Sequence, residues 1–218
     1  MKIRCAKDLL DKIDEESAWR KHEIVNIQGF ALSNNRAKKV MSIAKSVVLI
    51  SYSHWEGFVK MSSFYYLTFL KQQSFSNSQL AVRLLSSLYF WNNFKNHLSA
   101  EESIKCYEDM LSNNTHKFVY YIDDMCSTES NLSFKVLSKI LFSIGLDSSS
   151  FLVDKPFIDE RLLKFRNMFA HGDKCYDEDI TVDAANEMAK KVVELIDRFR
   201  TELYNAITTE AYKRPCPN

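Results

Sequence analysis

Apolar residues recur along this chain at helical rather than strand spacing. Leu9, Leu10, Ile13, Ile24 and Ile27, with charged residues between them, predict an amphipathic first helix over about residues 4–28. Asn34 or Asn35 can cap a second helix, in which Val40, Ile43, Ala44, Val47, Val48 and Ile50 form a wide apolar face. That pattern continues to about residue 72, long enough to span a domain. From about 74 to 130 Ser, Asn and Gln break the periodicity, so this stretch reads as a mainly helical elaboration on the core. Within it Ser99-Ala100-Glu101-Glu102 is a capping box for a helix to about residue 112, and His116 to Ile122 could be extended. Asn131 or Ser133 opens the next helix, which Gly145 ends from the C′ position. Ser148-Ser149-Ser150 reads as a loop before a helix that begins near Pro156 and stops at Gly172. Thr181 caps a last helix to about residue 209. The expectation is one all-α domain over residues 1–218, an up-and-down bundle with residues 74–130 inserted between the second long helix and the C-terminal half.

Composition agrees with long helices and few tight turns. Only four Gly and three Pro occur in 218 residues, and 46% of the chain is apolar, ample for one core. The net charge is +1, from 29 basic against 28 acidic residues, so a general basic coat for nucleic acid is excluded and any RNA contact must come from a local patch. Five scattered cysteines without a Cys-x-x-Cys pair indicate neither a disulfide framework nor a zinc site, which fits a reducing cytoplasm. Met1 to Asp8 lacks the apolar stretch of a secretory signal, and His54, Glu56 and Lys60 interrupt the most apolar segment, so no membrane span is expected.

The chemistry concentrates in Arg166-Asn167-Met168-Phe169-Ala170-His171-Gly172. Ile158, Leu162, Phe165 and Phe169 follow the spacing of a buried stripe, so this helix packs inward and offers its polar end at the rim. Asn167 and His171, four apart, share a face. A histidine at a helix C-terminus can serve merely as a cap satisfying the dipole, and the residues around this one are what set it apart. A second cluster, Tyr52, His54, Trp55, Glu56 and Gly57, lies within the long apolar helix. There Glu56 either sits on a solvated face or holds Arg166 or His171 in orientation.

Arg-Asn-x-x-Ala-His-Gly within such a helix resembles the active-site helix of the HEPN superfamily, the all-helical ribonuclease and nucleotide-binding domains. Adding Trp19, Arg20 and Glu23, the Tyr52 to Gly57 segment and the Gly145-Leu146-Asp147 turn, most of the chain outside residues 74–130 is similar to one bacterial HEPN family proposed to act as toxins in defence systems. The resemblance implies a metal-independent endoribonuclease. His171 would move protons, Arg166 would stabilise phosphorane charge, and Asn167 would orient the pair, with Glu56 and Gly172 supporting and Arg161 and Lys164 contacting substrate. Attack by the ribose 2′-OH would leave 2′,3′-cyclic phosphate and 5′-OH ends. No cofactor or metal is implied. The implied partners are RNA, a second copy of the chain across a shared cleft, and an antitoxin or other defence-system protein. In one HEPN subgroup a Tyr two residues after the His is nucleotidylated; here Asp173 stands there, with Tyr176 next, which leaves that mode of neutralisation in doubt. The alternative is a non-catalytic HEPN-like module that binds a nucleotide or protein and serves as a dimerisation scaffold.

Overall fold

The structure, a computed structural model, describes residues 3–34, 40–111, 119–172 and 180–215. It is all-α: 78% of it is helical and no strand occurs among the described residues, where an isolated bridge pairs Leu80 with Lys213. Three long helices, α1 (Ala6–Ser33), α2 (Val40–Gln73) and α8 (Val182–Thr208), pack against one another pairwise and enclose the main core. In α8 the residues Val182, Ala185, Ala189, Val192, Ile196, Phe199 and Leu203 are all buried, the stripe that a three-and-four spacing lays along one helix face. Phe199 sits edge-on to Trp55 and Phe58 of α2, with ring centroids 6.2 and 6.1 Å away. No described helix is long and apolar enough to cross a membrane.

Between α2 and α8 the chain forms α3 (Val82–Asn96), α4 (Ala100–Leu111), a single turn α5 (Ile122–Met125) and α6 (Phe134–Ser143). The expected caps are present. Ser99 Oγ accepts from Glu102 N at 3.2 Å while the Glu102 carboxylate accepts from Ser99 N at 2.8 Å, Ser133 Oγ accepts from Val136 N, and Thr181 Oγ1 accepts from Ala184 N. Gly145 adopts φ +78°, and the Leu146 N–H reaches back to the Leu141 carbonyl at 2.8 Å, the long bond that closes a Schellman turn.

Four expectations need correction. The first helix runs on to Ser33, past the expected end near residue 28; its last turns expose Phe30 and Leu32, so the inward-facing pattern fades there before the helix ends. The possible extended segment at 116–122 is not seen: residues 116–118 lie outside the described residues, Val119 to Tyr121 form no strand, and Ile122 starts a helical turn. The serines before Pro156 are not all loop, since Ser149–Asp154 forms a 3₁₀ helix. Arg198 holds it from α8, donating to the Ser150 carbonyl and to buried Asp154. Of the two residues expected to cap α2, Asn34 instead closes α1, its side-chain amide donating to the Phe30 carbonyl at 2.9 Å, and Asn35 lies outside the described residues.

The Trp19-Arg20-x-x-Glu23 segment and the α2 cluster meet across the α1–α2 contact. Arg20 pairs with Glu16 at 2.9 Å, Tyr65 donates to the same carboxylate at 3.1 Å, and the Trp19 ring covers the guanidinium at 4.4 Å. His54 Nε2 lies 2.9 Å from Glu23, and burial pushes that imidazole below its ordinary pKa, against the opposing pull of the carboxylate. Gly57 makes room for this layer, because a Cβ there would stand 2.4 Å from Arg20 Nη1. Gly57→Ala should therefore displace a buried, paired guanidinium and cost about 2 kcal/mol or more, read as a drop in the urea midpoint at unchanged m-value. An unshifted midpoint would show that Arg20 relaxes freely.

Candidate active site

The helix carrying the Arg–His segment is not regular. After the 3₁₀ turn and one α-helical step the chain makes a π-helical turn, Phe157–Leu162, and only then enters α7 (Leu163–Ala170). A π turn holds one more residue than an α turn and rotates everything downstream relative to the core. Ile158, Leu162 and Phe169 nonetheless stay buried, with Phe165 half-buried, so the expected stripe faces inward across the irregularity. Asp159 of the π turn accepts from Phe134 N at 2.7 Å, fastening the start of α6 to this helix.

That junction builds the seat for Arg166. Its Nη1 donates to Asn131 Oδ1 at 2.9 Å and to Asn167 Oδ1 at 2.8 Å, and its Nη2 donates to the Ser130 carbonyl at 3.0 Å. Beneath it lies Tyr52 of α2, with the guanidinium carbon 5.0 Å from the ring centroid. All three acceptors are uncharged, and among the described residues no carboxylate pairs with Arg166. The cation is thus held in orientation without an ion-pair partner among the described residues. Among those residues nothing accepts from the Nε–H or from one Nη2–H, donors that can reach an incoming anion.

The loop supplying these acceptors is itself constrained. Glu129 and Ser130 both adopt left-handed backbone, φ +52° and +60°, a conformation costing on the order of 1 kcal/mol or more for each non-glycine residue. It is pinned at both sides: Lys139 of α6 pairs with Glu129 at 2.7 Å, and the Leu132 N–H donates to the Tyr52 hydroxyl at 2.7 Å. Burial pushes the Tyr52 phenol up to about 12, a displacement that Glu56 adds to while the Leu132 amide and Arg166 oppose it. The phenol keeps its proton at neutral pH, since both burial and the nearby Glu56 charge disfavour the phenolate. Glu56 lies near enough to act electrostatically on the Tyr52 phenol, and among the described residues it makes no ion pair with Arg166 or His171.

His171 closes α7 as its C-cap, its backbone N–H reaching the Asn167 carbonyl at 3.0 Å, and Gly172 follows at φ +71° to end the helix. The imidazole is exposed, and among the described residues no side chain holds it. Five positions separate it from Arg166, a rotation of roughly 140° in an ideal helix, and among the described residues no hydrogen bond joins the two side chains. Arg161 and Lys164 are exposed and unpaired among the described residues. Asp173 and Tyr176 lie outside those residues.

Of the residues singled out from sequence, the structure joins Arg166 to Asn167 directly, places Glu56 within electrostatic reach of Tyr52 beneath them, and leaves His171, Arg161 and Lys164 in solvent. Ser130, Asn131 and the Tyr52 platform were not anticipated as a group. Tyr52 and Glu56 share a helix face at i and i+4, a legible hint, whereas nothing marked Asn131 as a neighbour of Arg166. Among the described residues no group of three His, Cys, Asp or Glu side chains could hold a metal ion.

No curated protein and no solved structure matches the chain. A protein-family model described as HEPN_MAE_28990-like HEPN matches residues 9–212, a span that holds α2, α8, all but the first turn of α1, the Tyr52 platform and the whole Arg166–His171 segment. The chain belongs to this family of the HEPN superfamily.

Proposed function

We propose that this protein is a metal-independent endoribonuclease whose site is completed by a second copy of the chain. The observation that carries the reading is the seat of Arg166, a guanidinium fixed by three neutral acceptors and an aromatic face with donors to spare. Such a group suits a phosphorane, whose charge grows as the reaction proceeds. His171, exposed at the helix end, is free to take the proton from a ribose 2′-OH or deliver one to the departing 5′ oxygen. In the balanced step the 2′ oxygen bonds to the adjacent phosphorus, the bond to the 5′ oxygen breaks, and a 2′,3′-cyclic phosphate and a 5′-OH result. Asn167 orients Arg166, and Glu56 steadies the platform beneath it.

The roughly 140° between Arg166 and His171 favours pairing across a two-fold axis, with the helix from 157 to 171 of each copy lining one cleft. Arg161 and Lys164 would then add positive potential along both sides of it. The reading extends to a toxin or defence effector of the cytoplasm, restrained by an antitoxin or another defence protein.

Incubation with cellular RNA in EDTA should give fragments ending in 2′,3′-cyclic phosphate and 5′-OH, and a 2′-deoxy residue at the cleavage point should block the cut. Efficient cleavage of DNA contradicts the mechanism. Coexpressing inactive R166A and H171A copies should restore activity in mixed dimers, because one of their two Arg–His pairings is intact. Full specific activity at the monomer mass, 25.4 kDa, refutes the shared site.

A further inference from the structure

Lys45 of α2 has no place in the chemistry described so far, yet it lies on the same helix face as Tyr52 and Glu56, seven and eleven residues before them. Its ammonium sits 5.4 Å from the ring centroid of Phe169, two residues before His171. Tyr52 lies under Arg166 and Lys45 over Phe169, so α2 and α7 run antiparallel here and carry a cation at each end of their contact. Seven residues of α2 place those ends roughly 10 Å apart. The lysine is half-buried, and among the described residues no carboxylate pairs with it. The two cations therefore share one design: each charge rests on an aromatic face and, among the described residues, has no carboxylate paired with it.

We propose that Lys45 binds a second phosphate of the RNA strand, one that neighbours the scissile phosphate at Arg166. The inference rests on the ribonuclease reading and specifies its substrate, a strand that carries a phosphate beyond the bond being cut. A cation held against a ring between α2 and α7 fixes the direction in which the strand leaves Arg166, toward the His171 end of α7. Lysine suits this duty, because a flanking phosphate has to be held as a point charge and need not be matched in plane as the reacting one is.

The test compares a ribodinucleoside monophosphate with the same molecule carrying an added phosphate at its 5′ or its 3′ end. With the wild-type protein one of the two additions should lower KM about tenfold, the scale of a single charged hydrogen bond. In Lys45→Met, which keeps the hydrocarbon packing on Phe169, that gain should vanish, and Lys45→Arg should recover most of it. Independently, binding of an uncleavable 2′-O-methyl oligonucleotide, followed by anisotropy across salt concentration, should lose about 0.7 from its log–log slope in Lys45→Met. A wild-type protein indifferent to both added phosphates, or a Lys45→Met variant that retains gain and slope, overturns the assignment of Lys45. Absence of RNA cleavage overturns the ribonuclease reading, and the salt slope then still decides whether Lys45 touches phosphate.

Discussion

Replacing His171 by alanine is expected to lower RNA cleavage by about 10²–10⁴-fold, the usual worth of one positioned acid–base group, and to leave folding stability almost unchanged. The two halves of this expectation come from one geometry. His171 contributes to the end of α7 through its backbone, whose N–H bonds to the Asn167 carbonyl, and that bond survives any side-chain change. Its imidazole is exposed, so truncation opens no cavity and orphans no buried partner. The turn that follows is set by Gly172 at φ +71°, which the substitution does not touch. Cleavage rate and thermal midpoint should therefore separate cleanly. A variant that cuts RNA at the wild-type rate removes His171 from the mechanism, and with it the case for a 2′-OH route run by this segment. A variant that is inactive but also poorly folded would instead give the imidazole a structural role that its exposure does not suggest.

The sequence made the bundle legible because its long helices are regular. The α8 stripe, the Ser99–Glu102 box, the Ser133 and Thr181 caps and the Gly145 turn are local signals, each written in residues a few positions apart, and each appears where the pattern places it. The Arg166–His171 segment was legible for the same reason. The seat of Arg166 was not, since it depends on contacts between distant parts of the chain. Asn131 and Ser130 lie 35 and 36 residues before Arg166, on a loop whose left-handed residues, Glu129 and Ser130, are neither glycine nor asparagine and so give no warning of the turn. The π turn at 157–162 escaped notice because one extra residue leaves an apolar stripe looking continuous, with Ile158 and Leu162 buried on either reading. Lys45 reads as an ordinary charge on a helix until α7 is seen to place Phe169 beneath it. Residues 74–130, set aside as an elaboration, carry Ser130 at their very end and so reach into the seat itself.

Arg166→Ala should cost about 10²–10³ in kcat, comparable to removing a preorganised donor from a developing oxyanion, and Arg166→Lys should recover little of it. The asymmetry follows from the seat. Three acceptors from two segments converge on the two Nη atoms, while the Tyr52 ring supports the guanidinium plane from below. A lysine ammonium is a point with three donors on a flexible stem. It cannot satisfy Asn131, Asn167 and Ser130 together and still aim a donor at phosphate. Charge alone is thus insufficient, and orientation carries the difference. Asn131→Ala isolates that second factor: it keeps the guanidinium and its charge and removes one of the bonds that fix it, so it should fall between wild type and Arg166→Ala, with the loss in kcat rather than KM. The three variants should order as wild type, Asn131→Ala, then Arg166→Lys close to Arg166→Ala. Wild-type activity in Arg166→Lys would mean that any cation at this position suffices, which would leave the neutral acceptors, the left-handed loop and the aromatic platform without a catalytic purpose.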